Sequence, residues 1–155
     1  MTTDVETPFE LVLSRSLGMG ATDVAAKNRR AVEDAYRAVL KGEPGALFAL
    51  LADDVQFHEA PSLPYGGSQK GIDGARAGVE GMFSAWSHLR VEIEEIAAGG
   101  DIVIAYLWMR AISRSSGDVY EGPTAELFRF KAGKIIEWRP IYWDTHRVRQ
   151  ICGLS

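Results

Sequence analysis

An α+β domain, helices first and a meander of β-hairpins after, is the fold spelled out by this sequence of 155 residues. Three features point there. Apolar residues at helical spacing fill the first half of the chain, and four strand-like runs separated by turn signals fill the second. No internal repeat, low-complexity tract or linker interrupts either half. The expected product is three N-terminal helices packed on one face of a curved, mostly antiparallel sheet. One core suffices at this length, so residues 22–155 read as a single domain behind an arm over 1–21.

The arm contains Pro8, Gly18 and Gly20 and has no clean period beyond a short helical piece over 9–17. Thr22 or Asp23 suits the N-cap of a first helix that Gly42 stops near residue 41. Val32, Ala35, Tyr36, Val39 and Leu40 share one face of it, which points Tyr36 inward. Pro44 suits the first turn of a short second helix that runs through Leu47, Phe48, Leu50 and Leu51. Val55 and Phe57 alternate with Gln56 and His58 in a first strand, and Pro61, Pro64 and Gly66-Gly67 turn it into a loop. A third helix over 73–87 buries Val79, Met82, Phe83 and Trp86; Gly74, Gly78 and Gly81 weaken it but allow close approach to a sheet. Strands follow over 89–96, 102–112, 120–131 and 134–143, with turns at Gly99-Gly100-Asp101, 115–118 and Ala132-Gly133. The run over 102–112 is apolar on both faces. Pro140 suggests a bulge or an edge in the last strand, which leaves open whether Tyr142 and Asp144 or Ile141 and Trp143 face inward.

Composition narrows the function. A 46% hydrophobic and 25% charged chain is an ordinary globular protein, and its net charge of −4 argues against a nucleic-acid surface. Cys152 is the one cysteine, so no internal disulfide forms. A reducing, cytoplasmic setting is expected, with no secretory leader and no apolar run long enough to cross a membrane. The three histidines lack ligand spacing, so neither a metal nor another cofactor is expected. The serines over 113–116 have nothing to activate them, which disfavours nucleophilic catalysis.

What remains is acid–base chemistry. Glu59 follows Val55 and Phe57 on one strand face and points at the interior, unless it is simply a strand end already in water. Glu126 shares an inward face with Thr124, Phe128 and Phe130, unless it serves to pair with an arginine. Asp144 either caps a short helix over 145–152 or supplies a third acid. Phe57, Leu107, Met109 and Phe128, with Tyr65, Phe83, Trp86 and Trp143 as neighbouring aromatics, are the expected walls of an apolar pocket.

Residues 28–148 resemble the nuclear-transport-factor-2-like superfamily. The residues that carry the likeness are Ala52-Asp53-Asp54, Phe57-His58-Glu59-Ala60-Pro61, Leu127-Phe128-Arg129-Phe130, and Tyr142-Trp143-Asp144 after Gly133-Lys134-Ile135. Within the superfamily the chain resembles the SnoaL-like polyketide cyclase and ketosteroid isomerase branch, with limonene-epoxide hydrolase as a further relative. The resemblance implies a cone-shaped α+β barrel, closed by helices and usually dimeric. It sets Glu59 at the isomerases' proton-shuttling carboxylate and Glu126 at their protonated oxyanion acid. Tyr36 falls within one position of their oxyanion tyrosine, and Asp144 resembles the acid at this strand end in the cyclases. Leu107 and Met109 stand where epoxide hydrolases hold an Arg and an Asp, so their mechanism is not expected. The reading is an isomerase, cyclase or dehydratase acting on an apolar substrate, polycyclic ones included, as a homodimer. The alternative is a non-catalytic ligand-binding or dimerisation module of the same fold.

Overall fold

Ala25, Asn28, Val32 and Ala35 recur at helical spacing and are buried along one stripe of α1 (Asp23–Leu40). Gly42, at φ +95°, lets the chain leave that helix in a conformation side chains resist. The structure is a computed structural model and describes residues 23–154. The expected arm and its helical piece over 9–17 lie outside the described residues.

The second N-terminal helix does not form. Its place is taken by a three-residue 3-10 turn, Phe48–Leu50, because so short a segment cannot repay helix nucleation. The chain then enters β1 (Leu51–Glu59), earlier than the alternation from Val55 suggested. After the Pro-Gly loop comes β2 (Gly67–Lys70), a short edge strand in a run read as loop. Next is α2 (Gly71–Ala85). The helices are thus one at the N-terminus, one between strands, and a third, α3 (Thr145–Ile151), at the C-terminus.

The remaining strands are β3 (Trp86–Gly99), β4 (Ile102–Ser113), β5 (Val119–Lys131) and β6 (Lys134–Tyr142). They form one sheet in the order β2-β1-β6-β5-β4-β3. All neighbours are antiparallel except β1 and β6, which run parallel. The end strands β2 and β3 are not paired, so the sheet is open and the expected closed barrel is not found. Register shifts in β1, twice in β3 and in β6 mark where extra residues bend the strands.

β4 is buried on one face only. Val103, Ala105, Leu107 and Met109 are buried, whereas Ile104, Tyr106 and Trp108 are exposed within the single chain. The inward face packs on α1 and α2 as one core cluster around Val32, Phe57, Phe128 and Trp138. A second cluster around Leu63, Trp86, Met109, Val148 and Ile151 lies under the loop after β1. Gly78 makes the helix–sheet approach possible: a Cβ there would stand 2.4 Å from the Phe57 ring. Among the described residues, no helix is long and apolar enough to cross a membrane.

Candidate active site

The alternation that buries Val55 and Phe57 carries Glu59 onto the same face, where it is 4% exposed. Its Oε2 has no hydrogen-bond partner. Burial, and after it the charge of Glu126, pushes its carboxyl from an ordinary 4.5 up to about 8. Burial disfavours the ionised form, and among the described residues no cation lines the site to offset it.

Glu126 arrives on the inward face of β5. The Tyr36 hydroxyl, reaching down from α1, donates to its Oε2. Burial raises the Glu126 carboxyl and the tyrosine bond lowers it, with burial prevailing. Tyr36 itself is pushed well above 10 by burial and by Glu126, so it stays protonated and donating. Glu59 and Glu126 repel each other when both are ionised, so their proton loss is coupled.

Sheet register explains why these groups meet. Phe57 pairs with Trp138, and Trp138 with Phe128, in one row across β1, β6 and β5. Two residues further along, Glu126 pairs with Pro140, and Glu59 follows Phe57 by the same two steps. The third row pairs Tyr142 with Thr124 and Thr124 with Leu107. Two acids therefore sit between an aromatic row and a hydroxyl-bearing row.

Pro140 fits without a bulge, because the β6 irregularity lies at the other end, opposite the step from Arg129 to Phe130. The alternation is unbroken from Trp138 through Pro140 to Tyr142, which face inward. Ile141 and Trp143 point outward and are 48% and 80% exposed. Trp143 N–H donates to Pro123 across β5, so the even residues direct their backbone groups away from that strand. Trp138 is the last β6 residue paired with β1, so the N–H that Pro140 lacks has no ladder to join.

The two acids open onto a cavity of about 50 Å³ lined also by Phe57, Leu107, Met109, Thr124, Trp138 and Tyr142. Val79 and Met82 of α2 face Leu89 and Val91 of β3 to complete its wall. Among the described residues, no Lys, Arg or His lines it. Such a volume holds a few water molecules, well short of the several hundred Å³ typical of drug-sized ligand pockets. Three lining residues carry a buried polar atom without a partner: Glu59 Oε2, Thr124 Oγ1 and Trp138 Nε1.

The structure brings Glu59, Glu126, Phe57, Leu107 and Met109 to this cavity. Tyr36 does not line the cavity and stands behind Glu126, to which it donates. Tyr65, from the loop after β1, donates to the Tyr142 hydroxyl at 3.1 Å and is likewise one layer back. Phe128, fully buried, lies in the core floor against Tyr36 and Trp138. Trp86 is buried in the second cluster beside Tyr65.

Three expected residues lie elsewhere. Asp144 is exposed and caps α3, its Oδ1 accepting from Arg147 N–H at 2.9 Å, so of its two readings the cap is the one observed. Phe83, 54% exposed, is on the solvent side of α2 because the adjacent Met82 takes the inner position. Trp143 follows an inward residue on a strand and must point out. Trp138, Thr124 and Tyr142 were not assigned to the pocket from sequence. For Trp138 and Tyr142 the signal was the two-residue alternation through Pro140, readable only once that proline is known to keep register; for Thr124 it was the inward face of β5 shared with Glu126.

The arrangement can store a proton on either acid beside an apolar ligand and offers hydroxyl and indole donors around it. It offers no cation for a phosphate group. The SnoaL-like domain profile matches residues 32–138. No curated protein matches the chain in sequence. Solved structures share the fold. An NTF2-like protein from Burkholderia pseudomallei superposes with a TM-score of 0.73 at 20% identity, over 82% of this chain and 98% of that one. A SnoaL-like polyketide cyclase from Jannaschia sp. gives 0.72 at 17% identity, over 89% and 100%. A protein with a ketosteroid isomerase-like fold from Catenulispora acidiphila, in complex with trimethylamine, gives 0.60 at 21% identity, over 80% and 93%. With the profile covering most of the described chain, the protein belongs to the SnoaL-like domain family.

Proposed function

We propose that this protein is an enzyme that removes a proton next to a carbonyl of a flat, apolar substrate, using its own acidic side chains. One observation carries the reading: Glu59 is buried, unpartnered at Oε2 and raised to about 8, at the wall of an apolar cavity. A carboxylate so raised is a stronger base than one in water, and no structural ion pair accounts for its position. Glu59 takes the proton from carbon, the C–H electron pair forms the new C=C bond, and the carbonyl π pair moves onto the oxygen. Glu126, held by the Tyr36 hydroxyl, is the neighbouring carboxyl whose charge, after burial, raises Glu59 as a base. Isomerisation, aldol cyclisation and dehydration share this step. A second subunit covering the exposed Tyr106 and Trp108 face completes the proposed homodimer.

The wall of Val79, Met82, Leu89 and Val91 must part to admit such a substrate, α2 moving off β3. Val91 is 41% exposed, so this wall is thin. The test is hydrogen–deuterium exchange in D₂O at the carbon beside the carbonyl, across a panel of apolar ketones. Exchange should rise about tenfold per pH unit up to about 8 and level off above, following the Glu59 base form. Glu59→Gln should lower it about 10²–10⁴-fold. Exchange no faster than in buffer for every ketone, together with tight binding of a sugar phosphate or nucleotide, would refute the proposal and leave a binding module.

A further inference from the structure

The enolate formed by Glu59 needs hydrogen-bond donors at its oxygen, and the groups first expected to supply them are already engaged. Tyr36 donates to Glu126 and does not line the cavity. Glu126, the acid expected beside it, accepts that bond at Oε2, and its charge helps raise Glu59. The row beyond the two acids holds two hydroxyls instead. Thr124 and Tyr142 are direct cross-strand partners on the inward face of β5 and β6. Side chains so paired have Cβ atoms about 5 Å apart, and both residues line the one cavity.

Each hydroxyl has a proton to give. Thr124 is 5% exposed and its Oγ1 has no partner. Tyr142 accepts from Tyr65, which leaves its own O–H to donate, and accepting that bond strengthens it as a donor. Burial first, then the nearby Tyr65 and Glu59, pushes Tyr142 well above 10, so it stays a neutral donor across the working range. Both residues line the same cavity as Glu59 Oε2.

We infer that the Thr124 and Tyr142 hydroxyls form the oxyanion site of this cavity, holding the substrate oxygen while Glu59 works on the adjacent carbon. The inference rests on the reading of Glu59 as base. No proton leaves either hydroxyl: the one that moves goes from carbon to Glu59 and back to carbon, and the hydroxyls carry the oxygen's charge by hydrogen bonding. Tyr65 is a positioning residue that orients Tyr142. The site accepts an oxygen close to the ionisable carbon, as in ketones, enols and phenols.

The test uses Thr124→Val, Thr124→Ser, Tyr142→Phe and Tyr65→Phe in the deuterium-exchange assay beside Glu59→Gln, with thermal melts to confirm folding. Binding of simple phenols, which place an oxygen on a flat apolar ring, is measured in parallel. Thr124→Val and Tyr142→Phe should each lower kcat about 10²-fold with little change in KM. Thr124→Ser should restore most of the rate, which a purely structural role for the threonine would not predict. Tyr65→Phe should fall in between. Loss of exchange in Glu59→Gln with Thr124→Val and Tyr142→Phe near wild type would overturn the oxyanion site and leave the base assignment standing. If wild type exchanges no ketone, the base assignment fails and phenol binding settles the site. A tenfold or greater weakening in both hydroxyl variants then supports it as an oxygen-binding pair, and unchanged binding overturns it.

Discussion

Replacing Glu59 with Gln should stabilise the fold, by an amount that grows with pH. In the unfolded chain this carboxyl ionises near 4.5, whereas burial and Glu126 hold it protonated in the fold up to about 8. Between those values the folded state keeps a proton that the unfolded state has released, so stability falls as pH rises, by about 1.4 kcal/mol per pH unit. Below 4.5 both states are protonated and the penalty is absent. From 4.5 to 7 is 2.5 pH units, which makes the penalty roughly 3 kcal/mol at pH 7 and roughly 5 kcal/mol above pH 8. A neutral Gln never incurs it. For a chain of this length about 3 kcal/mol corresponds to a rise in Tm of roughly 6–12 °C. The assay is paired thermal melts of wild type and variant from pH 4.5 to 9. The difference should be near zero at pH 4.5 and widen steadily toward pH 8. A variant that melts lower than wild type at pH 7 would mean that Glu59 stabilises the fold through a partner, and the reasoning would fail. So would a difference that does not change with pH.

Other substitutions probe the remaining supports. Glu126→Gln should lower the Glu59 titration midpoint from about 8, yet keep it above 4.5, because burial outweighs the charge of Glu126; carbon-detected NMR of labelled Glu would show an unmoved or raised midpoint if the two acids were not neighbours. Gly78→Ala should destabilise by about 1–3 kcal/mol in chemical denaturation. Its Cβ would lie 2.4 Å from the buried Phe57 ring, which outweighs the roughly 1 kcal/mol that alanine contributes to a helix. A gain in stability there would show that α2 can lift freely from β1. The exposed face bearing Ile104, Tyr106 and Trp108 on β4 predicts a two-fold dimer. Sedimentation of a 17.0 kDa monomer at micromolar concentration would count against it.

The local periods in this chain specify much of what was found. Alternation of two is a property of a strand's own backbone, so Val55, Phe57 and Glu59 on one face, and Thr124, Glu126 and Phe128 on another, follow from residue order alone. The 3.6-residue period likewise places Val32, Ala35 and Tyr36 toward the core without knowledge of what they meet. The resemblance to SnoaL-like proteins rested on short motifs, and the family profile matches residues 32–138.

Three features depend on long-range packing instead. Asp144 has the chemistry of both a cap and an acid, and only the position of α3 shows that it caps. Tyr142 faces the cavity because Pro140 falls beyond the end of the β1–β6 ladder, a fact about a strand some eighty residues earlier. The Tyr36–Glu126 contact spans 90 residues, and no local pattern brings those two elements together. Local sequence sets which way a side chain points along its own element. What it points at depends on register and on the packing of distant elements, which are chosen by the free energy of the whole core.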